Sequence, residues 1–275
     1  MTLSDALSKL LARVVGGAGA AQGRGAAPAV GRAELHRRLL ALLQPVLKAN
    51  GFGRFEGNIV RRKSADWIDV IQLRIEADRE THGYALIVEL GRHFLFADLA
   101  ASFGMPNKRN GEVWPDVTQC HVRKGLFRRR RQAGNKVWKV WAIGPHGESL
   151  EESLSEIAQL TEDEVLPWFA WIDDLARVHD MILRRENDIE GKSRDPMLRG
   201  MLTFTNWDRE VLTAFIAFRL QRWEQCIALL EPVLERGSLL GYPNRLQPAP
   251  FDAAARARMQ RLLDDARAAA RAVRP

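Results

Sequence analysis

Only two cysteines, Cys120 and Cys226, occur in 275 residues. That is too few for a disulfide framework, and neither sits in a Cys-x-x-Cys or Cys/His pattern with zinc-ligand spacing. A reducing, cytoplasmic setting is therefore expected, with no metal and no cofactor. Long apolar runs are missing as well. The most apolar windows, such as 39–47, fall short of the roughly 18–20 residues that a membrane span needs and are flanked by charge. The first 19 residues carry Asp5, Lys9 and Arg13 within their apolar part, which makes a poor secretory signal.

Catalytic signatures are also absent. Six histidines are scattered without an HExxH pair, and no Walker, Rossmann, GxSxG or kinase pattern occurs. Cys120 and His121 are neighbours, but on a strand their side chains would point to opposite faces and could not share a proton. A small core cysteine is the expected role of each thiol. Asp66 and Asp173 read as a turn residue and a helix N-cap.

What is present is ordinary globular composition, 46% hydrophobic and 27% charged, with a formal net charge of +7. Residues 1–15 have apolar spacing for a short amphipathic helix. Residues 16–31 are a glycine- and alanine-rich stretch that reads as a flexible linker. A helix is expected over 33–49, with Leu35, Leu39, Leu42, Leu43, Val46 and Leu47 on its apolar face. Branched and aromatic residues then predict strands at 58–62, 67–75, 84–90 and 92–97, the last two broken by Gly91. Segments 117–123 and 136–143 read as two more strands, paired as an antiparallel hairpin with a long basic tip.

From residue 149 the period turns helical. Thr161 and Glu164 have capping-box spacing for a helix that meets Pro167 in its early turns. A helix at 173–186 and a boundary at 192–202 follow. Further helices are expected at 207–221, 223–235 and 252–272, the first two as an antiparallel pair. The phrase AFRLQRWEQCIALLEPVLERG resembles a single tetratricopeptide-type hairpin. The expected architecture is α+β: an antiparallel sheet with flanking helices over 32–190, and a helical extension over 203–275.

Several phrases in this order resemble a known family. LLQPVLKANGFGRFEGNIVRR, DVIQLR, ALIVELG, TQCHVRKG, KVW and EVLPWF are similar to the bacterial domain-of-unknown-function 4304 family over roughly 33–183. The resemblance implies a small cytosolic α+β domain, and genomic settings in that family suggest toxin-immunity roles. It implies no activity. Where the family carries an Asn ahead of the strand glycine, this chain has Glu89 before Gly91.

One local absence stands out. Between residues 117 and 147 there is no Asp or Glu, while Arg123, Lys124, Arg128, Arg129, Arg130, Arg131, Lys136 and Lys139 supply eight positive charges, so the remaining chain sums to −1. Lys124, Arg128–Arg131, Lys136 and Lys139, with Trp138 among them, form the candidate surface for an acidic protein partner. Nucleic acid is the second candidate. Arg123, within the family phrase, is expected to be a buried arginine paired with Glu89. A catalytic alternative, acting on nucleic acid or a phosphorylated substrate, would need Glu89, Asp69 and Arg123 to converge in one cleft. Oligomeric state is not readable from these patterns.

Overall fold

The computed structural model describes residues 30–79, 82–97, 108–126, 141–184, 197, 201–203, 209–239, 249–250 and 253–273. The expected first helix (1–15) and residues 16–29 of the expected linker lie outside them. The fold is α+β, built on one antiparallel sheet. Arg32–Ala49 (α1) opens it, and its leucines at every fourth position, Leu35, Leu39, Leu43 and Leu47, are all buried. That stripe lies against the sheet because i and i+4 side chains share a helix face.

The sheet contains Arg54–Glu56 (β1), Ile59–Lys63 (β2), Trp67–Ala77 (β3) and Tyr84–Phe94 (β4). Two short strands, Lys108–Arg109 (β5) and Glu112–Val113 (β6), pair only with each other. Val122–Leu126 (β7), Trp141–Ile143 (β8) and Met201–Thr203 (β9) complete it, in the order β1-β2-β3-β4-β7-β9 with β8 also on β4. Strand alternation divides it into two faces. Ile71, Leu73, Leu86, Val88, Leu90 and Val122 join the main core under the helices. On the opposite face Ile68 and Val70 pack with Val117 and Cys120 in a smaller cluster.

Three expectations are corrected here. Strand β4 runs unbroken through Gly91, because that glycine is the seat for Cys120. A Cβ there would meet the Cys120 Cβ and Sγ at 2.6 Å. Next, β7 and β8 do not pair with each other. Both run antiparallel to β4, with Leu126 opposite Val88 and Trp141 opposite Leu86. They are two parts of one interrupted sheet edge, about 7 Å apart by strand rise. Finally, residues 201–203, expected as the end of the 192–202 boundary and the first residue of the helical extension, form β9 on the outer edge of β7.

Leu150–Leu160 (α2) continues through a wide turn at Thr161–Val165 into Leu166–Trp171 (α3). Thr161 is not an N-cap there; its hydroxyl donates to the Ile157 carbonyl at 2.8 Å. Pro167 cannot supply the N–H that the Asp163 carbonyl would receive in a regular helix. The chain widens, and the Leu166 N–H bonds the Thr161 carbonyl five residues back. Leu175–Leu183 (α4) follows, capped by Asp174, whose carboxylate accepts from the Arg177 N–H. Asp173, the expected cap, is engaged elsewhere. Arg209–Arg219 (α5) and Trp223–Arg236 (α6) are joined by three residues, with Gln221 at φ 58°. Ser238–Leu239 (β10) pairs with Ala249–Pro250 (β11), and Ala253–Val273 (α7) ends the described chain. Buried residues of α5, α6 and α7 belong to the same core cluster as the sheet.

Candidate functional site

Asp69 is the one charge on an otherwise apolar face of β3, and the fold uses it fully. It is buried, as is Arg92 directly opposite on β4. Arg92 Nε donates to Asp69 Oδ1 at 2.6 Å and Nη2 to Oδ2 at 3.1 Å. Arg62, opposite Asp69 on β2, adds two donors to Oδ2 at 2.9 and 2.7 Å. The remaining Arg92 donors reach the Ile172 and Phe169 carbonyls at 2.8 and 3.3 Å and the Asp173 carboxylate at 2.7 Å. The Trp67 ring covers the guanidinium at 4.4 Å.

Five segments thus meet in one buried, hydrogen-bonded network. Four N–H groups occupy the two Asp69 oxygens, so the carboxylate is committed to holding α3 on the sheet rather than to proton transfer. The Pro-Trp-Phe phrase acquires its meaning here. Trp168 and Phe169 are core side chains, and the Phe169 carbonyl is an Arg92 ligand.

Glu89 and Arg123 lie on the other face of the sheet. Gln72, three residues from Asp69 and therefore of opposite parity, is the residue that faces Glu89. Arg123 is 9% exposed, and its Nη2 is 3.5 Å from Glu89 Oε1. Arg74 Nη1 donates to Glu89 Oε2 at 2.8 Å. The chain thus brings Arg123 and Glu89 together and puts Asp69 behind them, across the sheet. The cleft required for the catalytic alternative is not formed by these three residues.

Lys124 points to the helical side of the sheet and is 2% exposed, with its Nζ 3.9 Å from Glu164 Oε2. That corrects its assignment to an exposed partner surface: strand parity at β7 turns it inward beside Val122 and Leu126. Arg128–Arg131, Lys136, Lys139 and Trp138 lie outside the described residues.

Both thiols are core groups. Burial pushes the Cys120 thiol well above its ordinary range, and burial alone raises Cys226 to about 12. His121, beside Cys120, is fully buried. Its Nδ1 accepts from the Phe94 N–H at 2.8 Å, and its ring stacks on His93 at 4.4 Å. Burial, reinforced by His93, pushes its pKa well below the usual histidine value. Among the described residues no group of three His, Cys, Asp or Glu side chains is placed to hold a metal ion, and no helix is long and apolar enough to cross a membrane.

Sequence reasoning missed Arg62, Arg92, Asp173 and Trp67. A signal existed: a lone Asp on an apolar strand face requires partners on the neighbouring strands.

The arrangement defines a class: an antiparallel α+β domain whose buried arginine–aspartate network holds a Pro-Trp-Phe helix to the sheet. Residues 43–171, which contain most of that network, match the family described as Domain of unknown function (DUF4304). No curated protein and no solved structure matches the chain.

Proposed function

We propose that this chain is a non-enzymatic binding protein that recognises an acidic protein surface, as an immunity-type or toxin-associated factor would, through the cations between Leu126 and Trp141. One observation carries the reading. Residues 127–140 hold six cations and no acid, and both flanking strands pair with β4. The chain leaves one sheet edge and returns to it, so the cations are tied at both ends to a rigid scaffold. A dense, uncompensated charge of this kind favours an anionic partner and makes its binding salt-sensitive.

The test replaces Arg128–Arg131 with Ser and compares capture of acidic proteins from lysate, and binding to polyglutamate, at low and high salt. Weaker capture by the variant supports the reading. Unchanged capture at low salt overturns it. Tighter retention on a duplex oligonucleotide than on polyglutamate, with a steep loss as salt rises, assigns the segment to nucleic acid instead.

A further inference from the structure

An unassigned cleft lies where the C-terminal helices meet the end of β4. It measures about 520 Å³ and is lined by Phe96, Phe215, Phe218, Arg219, Arg258 and Arg261. Its volume falls within the range typical of small-molecule sites.

Two of its guanidinium groups are held in place. Arg219 lies 5.3 Å from the centroid of the Phe96 ring and is anchored by the Asp66 carboxylate in the turn before β3. Arg258 lies 5.5 Å from the Phe215 centroid and donates to the Phe96 carbonyl at 3.0 Å. A single carboxylate cannot use all five N–H groups of Arg219. Arg261 has no ion pair among the described residues and is exposed at the rim. Asp265, one turn further along α7, is the carboxylate in the lining, and with the Asp66 that anchors Arg219 it sets two carboxylates against three arginines at this place. The wall is aromatic: Phe215 is almost wholly buried, and Phe218 is braced edge-on by Trp223 at 5.1 Å.

We infer that this cleft binds a small organic anion in which an oxyanion head, phosphate or carboxylate, is joined to a flat aromatic body. The head would take the planar donor forks of the arginines, which match either oxyanion. The body would lie along the phenylalanines. All three arginines fall outside the segment that matches the family, whereas Phe96 and Asp66, which hold two of them, fall inside it, so the cleft joins the matched segment to the helices that follow.

Titration calorimetry on the full chain at low salt tests this. Four probes separate the parts: a nucleoside monophosphate, naphthoate, inorganic phosphate and an uncharged nucleoside. The expected result is saturable binding of the nucleotide or the naphthoate, tighter than either fragment probe, with the tighter of the two identifying the head group. Arg261→Ala, at an exposed helix position where alanine is well tolerated, should weaken that binding at least about tenfold. Arg271→Ala, on the same helix and outside the lining, should leave it unchanged. No binding of either organic anion at millimolar concentration overturns the inference. So does equal affinity for inorganic phosphate, or wild-type affinity in Arg261→Ala.

Discussion

Asp69 is the residue whose loss should be felt most. Replacing it with Asn keeps the shape and removes the charge, leaving Arg92 wholly buried with one amide oxygen where it had a carboxylate. Arg62 loses the same partner. Breaking a buried pair from one side is destabilising by about 3–5 kcal/mol, because the remaining ion has no water to return to. Set against a total stability of roughly 5–15 kcal/mol, that is a large fraction. Asp173 supplies the control. It binds the same guanidinium at 2.7 Å, but its side chain is 49% exposed. Asp173→Asn leaves Arg92 neutralised by Asp69 and should be destabilising by less than about 1 kcal/mol. Urea denaturation reads both variants as shifts in midpoint at constant slope. Equal shifts for the two substitutions, or a shift below about 1 kcal/mol for Asp69→Asn, would refute the claim that burial decides which carboxylate matters.

Two further predictions rest on the same sheet. Gly91→Ala drives a methyl into Cys120 and should be destabilising by about 1–3 kcal/mol. Cys120→Gly removes the clash, so the double variant should be more stable than the two single effects summed; additivity in the double-mutant cycle would remove Cys120 as the reason for the glycine. The second concerns acid. His121 is neutral when buried, while the unfolded chain takes up a proton near the ordinary value of 6.5. The unfolded state therefore binds more protons in that window, and stability should fall as pH drops below 6.5, by up to about 1.4 kcal/mol per pH unit from this group. His121→Gln, which keeps an acceptor near the Phe94 N–H, should flatten the slope between pH 6.5 and 5; an unchanged slope would assign acid sensitivity to other groups.

The parts of the fold that periodicity encodes were legible. The leucine stripe of α1 and the alternation of β3 follow from residue spacing, and both are where spacing puts them. What spacing cannot encode is the identity of a strand's neighbour. Segments 117–123 and 136–143 both read as strands, and sequence proximity suggested that they pair. Yet β4 is long enough to hold β7 at one end and β8 at the other. The turn at Thr161–Val165 was misread for a related reason. A Thr three residues before a Glu has the spacing of a capping box, but the decisive constraint is the N–H missing from Pro167, which a widened helix tolerates without stopping. Gly91 looked like a strand breaker because its reason for being there, the Cys120 side chain, lies 29 positions away.

The candidate sites divide along the same line. Asp69 was visible as a charge on an apolar face, but Arg92 became its partner only once the β3–β4 register was known. The cleft draws on residues 96, 215–219 and 258–265, whose convergence no local pattern could show. The register also changes the weight of the basic segment. Of its eight cations, Arg123 and Lys124 belong to the interior, one near Glu89 and one near Glu164. The six that remain fall within 14 consecutive residues that contain no acid, four of them adjacent at Arg128–Arg131. Consecutive like charges repel, and added salt screens that repulsion. Natural surfaces usually intersperse opposite charges, and here the segment has none to intersperse. A partner that supplied carboxylates would remove that repulsion as it bound, so the affinity gained should fall with added salt in step with the number of arginines present.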